Sequence, residues 1–237
     1  MNTASCRETR EIDARVVAEW KIPSLLLMEN AGRGLAEIFL ARASRLNDGA
    51  SPRRVLICCG KGNNGGDGFV LFRRLELLGV DCRIVALGTP ESYRGDALTN
   101  LEIVRAATSQ NPEKIFFFDG SSQSFERLEV ELAQTDWAVD ALLGTGSTGA
   151  LRAPFDGIVA ALNRSGKPIY AVDIPSGLNA DDGSVATDAV RAKLTTTLAV
   201  VKPGLLLDVA KPYVGELYVA DIGVPVEPFL RRDERRR

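Results

Sequence analysis

Short apolar runs alternate with amphipathic segments along most of this chain. Runs such as 55–59 and 137–142 have the length of strands that are covered on both faces of a sheet. Between such runs, apolar residues recur at spacings of three and four, as at Phe69, Phe72 and Leu75, which is typical of helices packed along one face. The alternation of strands and helices predicts a parallel sheet with helices on both faces and right-handed crossovers.

The elements follow one another without an internal repeat or a low-complexity linker, so we expect one domain over residues 1–230. The tail, 231–237, consists entirely of charged residues and is expected to be disordered, with nucleic-acid contact as the less favoured alternative. The pattern predicts a first helix after a capping box at Ser5, a second after Pro23, further helices from Phe69 and at 95–107, 121–134 and 155–163, and strands at 55–59, 83–87, 115–118, 137–142, 168–172, 194–201 and 217–219.

The charge balance favours neither nucleic acid nor an anionic membrane as a partner. The 237 residues include 29 basic and 31 acidic side chains, for a net charge of -2. No apolar run approaches the ~20 residues that span a bilayer, and no signal-type segment is evident. The four cysteines lack CxxC spacing, and the neighbours Cys58 and Cys59 are predicted to be reduced core thiols on opposite faces of one strand. A cytoplasmic protein is therefore expected.

The chain contains no histidine, and this absence narrows the chemistry more than any other count. Within this chain it excludes Ser-His-Asp and Cys-His nucleophilic triads, zinc sites that use histidine, and imidazole acid-base catalysis. Proton transfer must then fall to carboxylates, lysine, tyrosine or cysteine.

Two glycine-rich segments follow predicted strands. The segment 60–68 holds five glycines in nine residues, and GxGxxG spacing occurs at 60–65 and again at 144–149. Both would lie at the carboxyl end of the sheet, where an extended ligand with phosphates would bind. The alternative is that the glycines only permit tight packing. A Walker A loop is disfavoured because Lys61 precedes the glycines and no GK[ST] closes them.

A hydride-transfer enzyme is disfavoured by the second strand. A dinucleotide-dependent dehydrogenase places an acid at the end of that strand to hold the ribose hydroxyls. Here the strand ends in 86–89, which contains no carboxylate. Asp81 has roughly the expected offset but lies at the start of the strand, on the wrong edge of the sheet.

Three carboxylates accompany the glycine-rich segments: Asp67, Asp140 and Asp173. Asp140 lies in an otherwise apolar strand, where an unpaired charge is costly, so it requires either a bound cation or backbone N–H donors. The sequence leaves both open. Asp173 directly precedes an Ile-Pro-Ser-Gly turn that would hold it at the edge of the sheet, and acid-base catalysis is favoured there over capping of the turn.

Several motifs resemble, in the correct order, those of the YjeF N-terminal domain family, the NAD(P)H-hydrate epimerases. They are the segments 28–32 (MENAG), 62–68 (GNNGGDG), 139–146 (VDALLGTG) and 172–177 (VDIPSG). Segments 202–204 (KPG) and 221–225 (DIGVP) also fit, so the resemblance covers nearly the whole chain.

The resemblance implies an α/β fold of the Rossmann-like type, a three-layer α/β/α sandwich with a mostly parallel central sheet. It implies interconversion of the R and S epimers of hydrated NADH and NADPH, with Asp173 as the catalytic residue and potassium as the cofactor. Asp173 is then expected to protonate the hydroxyl on C6 of the reduced nicotinamide ring. The potassium ligands map onto Asn64, Asp140 and Ser176, and the substrate-binding positions onto Asn63, Asn64, Gly65, Gly66, Asp67, Gly144, Thr145, Gly146, Ser147, Thr148, Gly149, Ala150 and Asp173.

One position departs from the family pattern, because some relatives carry a lysine in the second glycine-rich segment where this chain has Thr148. A catalytic role for that lysine therefore does not transfer. Some relatives are fused to a dehydratase domain, for which this chain has no room, so coupling to a separate NAD(P)H-hydrate dehydratase is expected. A homodimer is also expected. The competing hypothesis is a non-catalytic nucleotide- or RNA-binding scaffold of the same fold.

Overall fold

The computed structural model describes residues 3–47, 49–147 and 149–230. Thr148 and the charged tail 231–237 lie outside the described residues. In chain order the elements are α1 (Cys6–Trp20), α2 (Ser24–Leu46), β1 (Arg54–Cys59), α3 (Asn63–Leu77), β2 (Asp81–Leu87), α4 (Gly95–Ala107), β3 (Ile115–Phe118), α5 (Ser122–Ala133), β4 (Trp137–Ala141), α6 (Phe155–Arg164), β5 (Ile169–Val172), β6 (Leu194–Leu198), α7 (Lys211–Val214), β7 (Glu216–Ala220) and α8 (Glu227–Leu230), with short 3-10 helices at Pro90–Ser92, Pro112–Lys114, Pro203–Leu206 and Asp208–Ala210.

The seven strands form one sheet in the order β3-β2-β1-β4-β5-β6-β7, and every neighbouring pair is parallel. The predicted α/β sandwich is thus confirmed, and the sheet is wholly rather than mostly parallel. The direction of the strand order reverses between β1 and β4, where Cys58 lies opposite Asp140. Ligands of open parallel sheets bind at such a point, outside the carboxyl ends of the strands.

The core lies in two layers, one on each face of the sheet. Successive residues of β1 alternate between them, so that Cys59 packs with α2, α3 and α4 while Cys58 packs with α5 and α6. All four cysteines are free and buried, as predicted. Among the aromatic side chains, Phe39 of α2 stacks on Tyr170 of β5 with ring centroids 5.0 Å apart, which fixes α2 over the centre of the sheet.

Helix α1 begins at the predicted capping box. The Ser5 hydroxyl accepts a hydrogen bond from the Glu8 amide at 3.2 Å, and the Glu8 carboxylate accepts one from the Ser5 amide at 2.8 Å. Apolar residues of α1 pack on α2 and on the segment after β7, through Ile12 and Val16. This packing places the polar side of α1 over the carboxyl end of the sheet. None of the helices among the described residues is long and apolar enough to cross a membrane.

The first glycine-rich segment differs from the expectation of a turn that ends at Phe69. Helix α3 starts at Asn63, so Gly65, Gly66 and Gly68 lie in its first two turns. A Cβ atom at Gly65 would lie 1.8 Å from the carbonyl oxygen of Gly60, and one at Gly68 would lie 2.8 Å from Cys59 and Ala141. These glycines therefore let α3 approach β1 and β4 closely, which is the tight-packing alternative.

Strand β6 is shorter than predicted. It ends at Leu198, whereas the apolar pattern predicted a strand through Val201. Ala199 adopts a left-handed backbone conformation with φ of 62°, which ends the extended run and turns the chain back toward the sheet. After this turn, the Lys202 side chain reaches Asp173 at the end of β5.

Candidate active site

A cavity of about 960 Å³ opens at the carboxyl ends of the strands, beside the reversal of strand order. Helices α1 and α2 form one side of it, and the segments after β1, β4, β5 and β6 form the other. Its polar lining includes Arg10, Asp13, Lys61, Asn64, Asp67, Asp96, Asp173 and Lys202, and its apolar lining includes Val17, Leu27, Met28, Leu142 and Leu198. A cavity of this size, with convergent polar groups, suits a small-molecule substrate.

Asp173 lies at the end of β5 and faces this cavity. Its backbone is left-handed, with φ of 63°, a conformation that only a few non-glycine residues such as Asp and Asn tolerate. Its side chain is withdrawn from solvent, and Oδ1 accepts hydrogen bonds from Lys202 Nζ at 2.6 Å, Thr197 Oγ1 at 3.0 Å and the Leu198 amide at 3.1 Å. No hydrogen bond within the described residues reaches Oδ2, which leaves that oxygen for a ligand.

Lys202 is the most important residue of the site to which the sequence analysis assigned no role, although it begins the segment 202–204 that fits the family pattern. Its side chain is fully buried, and its ammonium group also donates to Thr197 Oγ1 at 3.1 Å and to the Leu198 carbonyl at 2.9 Å. All three ammonium hydrogens thus have acceptors at the ends of β5 and β6. The only signal in the sequence was the match of segment 202–204 to the family pattern, which does not show that the lysine is buried.

Asp67 and Asp13 bring two further carboxyl groups into the cavity. Asp67 points from α3, is 6% exposed, and receives no hydrogen bond within the described residues. Burial raises its pKa well above the usual range, and the negative charges of Asp173 and Asp13 add to the effect. Burial also raises the pKa of Asp13, on α1, to about 6, with Lys202 opposing the shift. Asp13 did not emerge from the sequence pattern, where it is one more acidic residue on an amphipathic helix.

Asp140 is fully buried on β4, and protein donors satisfy it. Its Oδ1 accepts from Ser176 Oγ at 2.7 Å and from the Leu142 amide at 3.2 Å, while Oδ2 accepts from the Ser176 amide at 2.7 Å. Burial nevertheless raises the pKa of Asp140 to about 6, against the effect of these hydrogen bonds. Of the two alternatives that the sequence left open for Asp140, backbone N–H donors are therefore present.

Asn64 provides an oxygen next to this cluster that has no protein partner. Its Nδ2 donates to the Leu143 carbonyl at 2.9 Å, while its buried Oδ1 has no hydrogen-bond donor among the described residues. Gly144 lies directly against the Asn64 side chain, since a Cβ atom there would be 3.2 Å from Asn64 Cβ. Amide, hydroxyl and carboxylate oxygens are ligands for hard cations, so Asn64, Asp140 and Ser176 fit a monovalent cation chemically.

The structure brings most of the predicted substrate-binding positions together. Asn63, Asn64, Asp67, Asp173 and the four residues Gly144, Thr145, Gly146 and Ser147 line the large cavity, and Gly149 lines a smaller one of about 110 Å³ beside Ser176. Gly65, Gly66 and Ala150 are not among the described residues that line either cavity. Thr148 lies outside the described residues.

The end of β2 agrees with the argument against hydride transfer. Asp81 begins the strand, as predicted, and its carboxylate pairs there with Arg54 at 3.1 Å and Lys114 at 3.4 Å. At the other end of β2, a Cβ atom at Gly88 would lie 2.7 Å from Cε and 3.0 Å from Nζ of Lys61, so the lysine side chain lies beside this strand end. A basic group therefore replaces the acid that an NAD-dependent dehydrogenase places at this strand end.

A wholly parallel sheet with a cavity at its switch point, two glycine-rich segments and an ion-paired carboxylate define an α/β protein of the Rossmann-like type with a candidate ligand site at the carboxyl ends of its strands. Comparison with known families narrows the class. Residues 24–204 match the family described as "YjeF-related protein N-terminus". The chain belongs to this family.

Individual relatives agree with the assignment. The chain is 41% identical to the NAD(P)H-hydrate epimerase of Pirellula staleyi over 92% of this chain and 91% of the relative. It is 37% identical to the bifunctional NAD(P)H-hydrate repair enzyme Nnr of Moorella thermoacetica over 100% of this chain and 43% of the relative. Among solved structures, yeast ynu0 (YNL200c) superposes with a TM-score of 0.69 at 26% identity, covering 86% of this chain and 83% of the yeast chain.

Proposed function

We propose that this protein is an NAD(P)H-hydrate epimerase, an isomerase that interconverts the R and S epimers of hydrated NADH and NADPH. The observation that carries the proposal is the Asp173–Lys202 pair, which faces a nucleotide-sized cavity at the switch point in a chain without histidine. The names of relatives that this chain matches along most of both sequences support it. No observation favours a non-catalytic scaffold.

The chemistry needs a departing hydroxyl and a planar intermediate. In the hydrated nucleotide, the hydroxyl on C6 leaves as water once it is protonated, and the lone pair of the adjacent ring nitrogen forms an iminium. Water can then return to either face of C6. Asp173 is the catalytic residue of this proposal, and its free Oδ2 exchanges a proton with the hydroxyl or with the incoming water. A positioned acid or base contributes ~10²–10⁴-fold to such a step.

Lys202 positions the catalytic carboxylate. Its ammonium group and the Thr197 hydroxyl both bind Oδ1 of Asp173, so the carboxylate plane is fixed and Oδ2 points away from these donors. The negative charge beside the ring stabilises the cationic iminium. Residues of α1 and α2 form the wall of the cavity that faces Asp173 and Lys202.

Potassium is the cofactor of the proposal, held by Asn64, Asp140 and Ser176. The partnerless Asn64 oxygen and the full burial of Asp140 support a cation between α3 and the segment after β5. Such an ion supplies fixed positive charge that balances Asp140 and holds the second glycine-rich segment in place beside the substrate. The residues Asn63–Asp67, Gly144–Ala150 and Asp173 remain the proposed substrate-binding set.

Fused relatives support coupling to a dehydratase. The bifunctional repair enzymes are longer than this chain, which spans 43% of the Moorella protein and 40% of that from Pyrobaculum aerophilum. The proposed functional partner is an NAD(P)H-hydrate dehydratase that takes up the epimer formed here. A homodimer and a cytoplasmic location belong to the same proposal.

The direct test gives purified protein the R epimer and follows appearance of the S epimer by chromatography, with a protein-free blank. We expect approach to an equilibrium mixture far faster than in the blank. A folded protein that leaves the R epimer at the blank rate contradicts the proposal.

A further inference from the structure

Asp13 reaches the cavity from a different element than Asp173 does. It lies in the middle of α1, whereas Asp173 lies at the end of β5 and Asp67 lies on α3. The Asp13 side chain is half-buried, and no hydrogen bond within the described residues reaches its carboxyl group. Nothing in the fold thus requires a carboxyl group there, since the apolar contacts of α1 are made by Ile12 and Val16.

The cavity holds more carboxyl groups than its buried cation neutralises. The Lys202 ammonium group pairs with Asp173, with Nζ 2.6 Å from Oδ1. The negative charge of Asp173 raises the pKa values of both Asp13 and Asp67. Among the other charged groups of the lining, Arg10 donates to the Thr145 carbonyl, Lys61 lies beside Gly88 at the end of β2, and Asp96 adds a further negative charge. Burial and the Asp173 charge raise the pKa of Asp13 to about 6, which suits a group that exchanges protons near neutral pH.

Asp67 indicates that this part of the cavity is built for a polar ligand. Asp67 is 6% exposed as a residue, it lines the cavity, and its carboxyl group has no hydrogen-bond partner within the described residues. A buried polar group without a partner is costly unless a ligand supplies one. A ligand that reaches Asp67 lies between α1 and the strand ends, within the region that Asp13 and Asp173 border.

Epimerisation itself calls for proton transfer on two faces. The hydroxyl of the R epimer and that of the S epimer project from opposite faces of the ring, so one carboxylate beside one face serves only one of them directly. Lys202 engages only Oδ1 of Asp173, so the free Oδ2 can serve one of these two faces. A second group is needed to protonate the hydroxyl on the other face.

We propose that Asp13 is a second catalytic residue, which exchanges a proton with the C6 hydroxyl from the α1 side while Asp173 acts from the strand-end side. The inference rests on the proposed epimerase function. In one direction, Asp13 donates its proton to the hydroxyl, the C6–O bond breaks with its electron pair leaving on water, and the ring nitrogen lone pair forms the iminium. A second water forms a new C6–O bond on the opposite face and gives its proton to Asp173. The electron pair returns to nitrogen, and solvent resets both carboxyl groups.

The test compares Asp13→Asn, Asp13→Glu and Glu11→Gln in water enriched in oxygen-18. Asp13→Asn keeps the side-chain shape and is expected to slow epimerisation ~10²–10⁴-fold, whereas Asp13→Glu restores part of the rate. Glu11, on the same helix, is exposed and pairs with Arg7, so Glu11→Gln is the matched control and keeps the wild-type rate. Circular dichroism confirms that each variant is folded.

Oxygen exchange separates a catalytic role from a structural one. In the wild type, both epimers take up oxygen-18 as they interconvert. In Asp13→Asn, the epimer whose hydroxyl faces Asp173 can still lose water and regain it on the same face. Its rate of oxygen-18 uptake is therefore expected to exceed its rate of epimerisation by about tenfold or more. Equal loss of exchange and epimerisation for both epimers, or a wild-type rate in Asp13→Asn, overturns the proposal. A wild-type protein without any epimerase activity removes the proposed function itself and this inference with it.

Discussion

The Nζ atom of Lys202 lies 2.6 Å from Oδ1 of Asp173, and the two side chains are only 1% and 9% exposed. The pair joins the end of β5 to the segment that follows β6. Each partner reaches it through a residue with a left-handed backbone, Asp173 itself on one side and Ala199 on the other. Left-handed residues at the ends of two neighbouring strands therefore bring the two charges of one buried ion pair together.

Removal of the lysine tests how strongly the fold depends on this pair. In Lys202→Met the carboxylate of Asp173 remains buried without its ammonium partner, and we expect a loss of about 3–5 kcal/mol in the free energy of unfolding. Urea denaturation measures it. The control is Lys211→Met, because Lys211 and Asp208 form an exposed pair with 74% and 91% exposed side chains. That variant is expected to change stability by less than about 1 kcal/mol. Similar losses in both variants would contradict the account.

The packing role of the first glycine-rich segment predicts a contrast between two glycines. Gly65→Ala places a Cβ atom 1.8 Å from the Gly60 carbonyl oxygen, so α3 must shift away from β1 and the protein is expected to lose more than about 2 kcal/mol of stability. A Cβ atom at Gly62 would have no other atom within 4 Å, and Gly62→Ala is expected to cost less than about 1 kcal/mol. Thermal unfolding of both variants checks the difference. Equal melting temperatures would refute it.

The pKa of Asp13 predicts a pH dependence of stability. Its pKa is raised from 3.8 to about 6 in the folded protein, so between these values the folded state binds more protons than the unfolded state. The contribution of Asp13 to stability therefore falls as pH rises from about 4 to about 6. Asp13→Asn lacks this loss, and its stability relative to the wild type should increase by about 1–3 kcal/mol over that range. Parallel pH profiles of the two proteins would show that Asp13 does not titrate in this way.

The proposed potassium site predicts an ion-specific gain in stability. At a potassium concentration ten times the dissociation constant, binding stabilises the folded state by roughly 1.4 kcal/mol, or about 3–6 °C in melting temperature for a chain of this size. The comparison is between potassium chloride and tetramethylammonium chloride at equal ionic strength. Ser176→Ala, which removes a proposed ligand, is expected to abolish the difference between the two salts, although it also loses the hydrogen bond to Asp140. A wild-type protein that melts at the same temperature in both salts has no such site.

Much of the fold could be predicted from the sequence because its signals are local. The buried strands are continuously apolar, and α1, α4 and α5 begin or end within a residue or two of the predicted bounds. The predicted start of α3 was wrong because glycine is a poor helix former, so a segment rich in glycine was expected to be a turn. The sequence does not show that the helix face toward β1 and β4 must lack side chains. The predicted end of β6 was wrong because Ala199 has a positive φ of 62°, a conformation that an alanine rarely adopts and that the sequence therefore does not predict.

The candidate site could be predicted only in part, because its residues come from distant segments. Asp140 and Asp173 were visible as charges at the ends of apolar strands. Asp13 was not, because a carboxylate on an amphipathic helix has no sequence feature that separates a cavity-facing position from a solvated one. The partner of Asp173 lies 29 residues further on, and only the turn after β6 brings Lys202 back to it. The sequence also left the donors of Asp140 open, and the structure supplies them from Ser176 and Leu142.

The central claim is that Asp173 transfers a proton to or from the C6 hydroxyl of a hydrated nicotinamide nucleotide. The most direct measurement is the initial rate at which purified R epimer becomes S epimer, for the wild type and for Asp173→Asn, with circular dichroism at the assay temperature to show that both are folded. The account predicts that the wild type is active and that the variant is slower by ~10²–10⁴-fold. A folded Asp173→Asn protein that epimerises at the wild-type rate would contradict it.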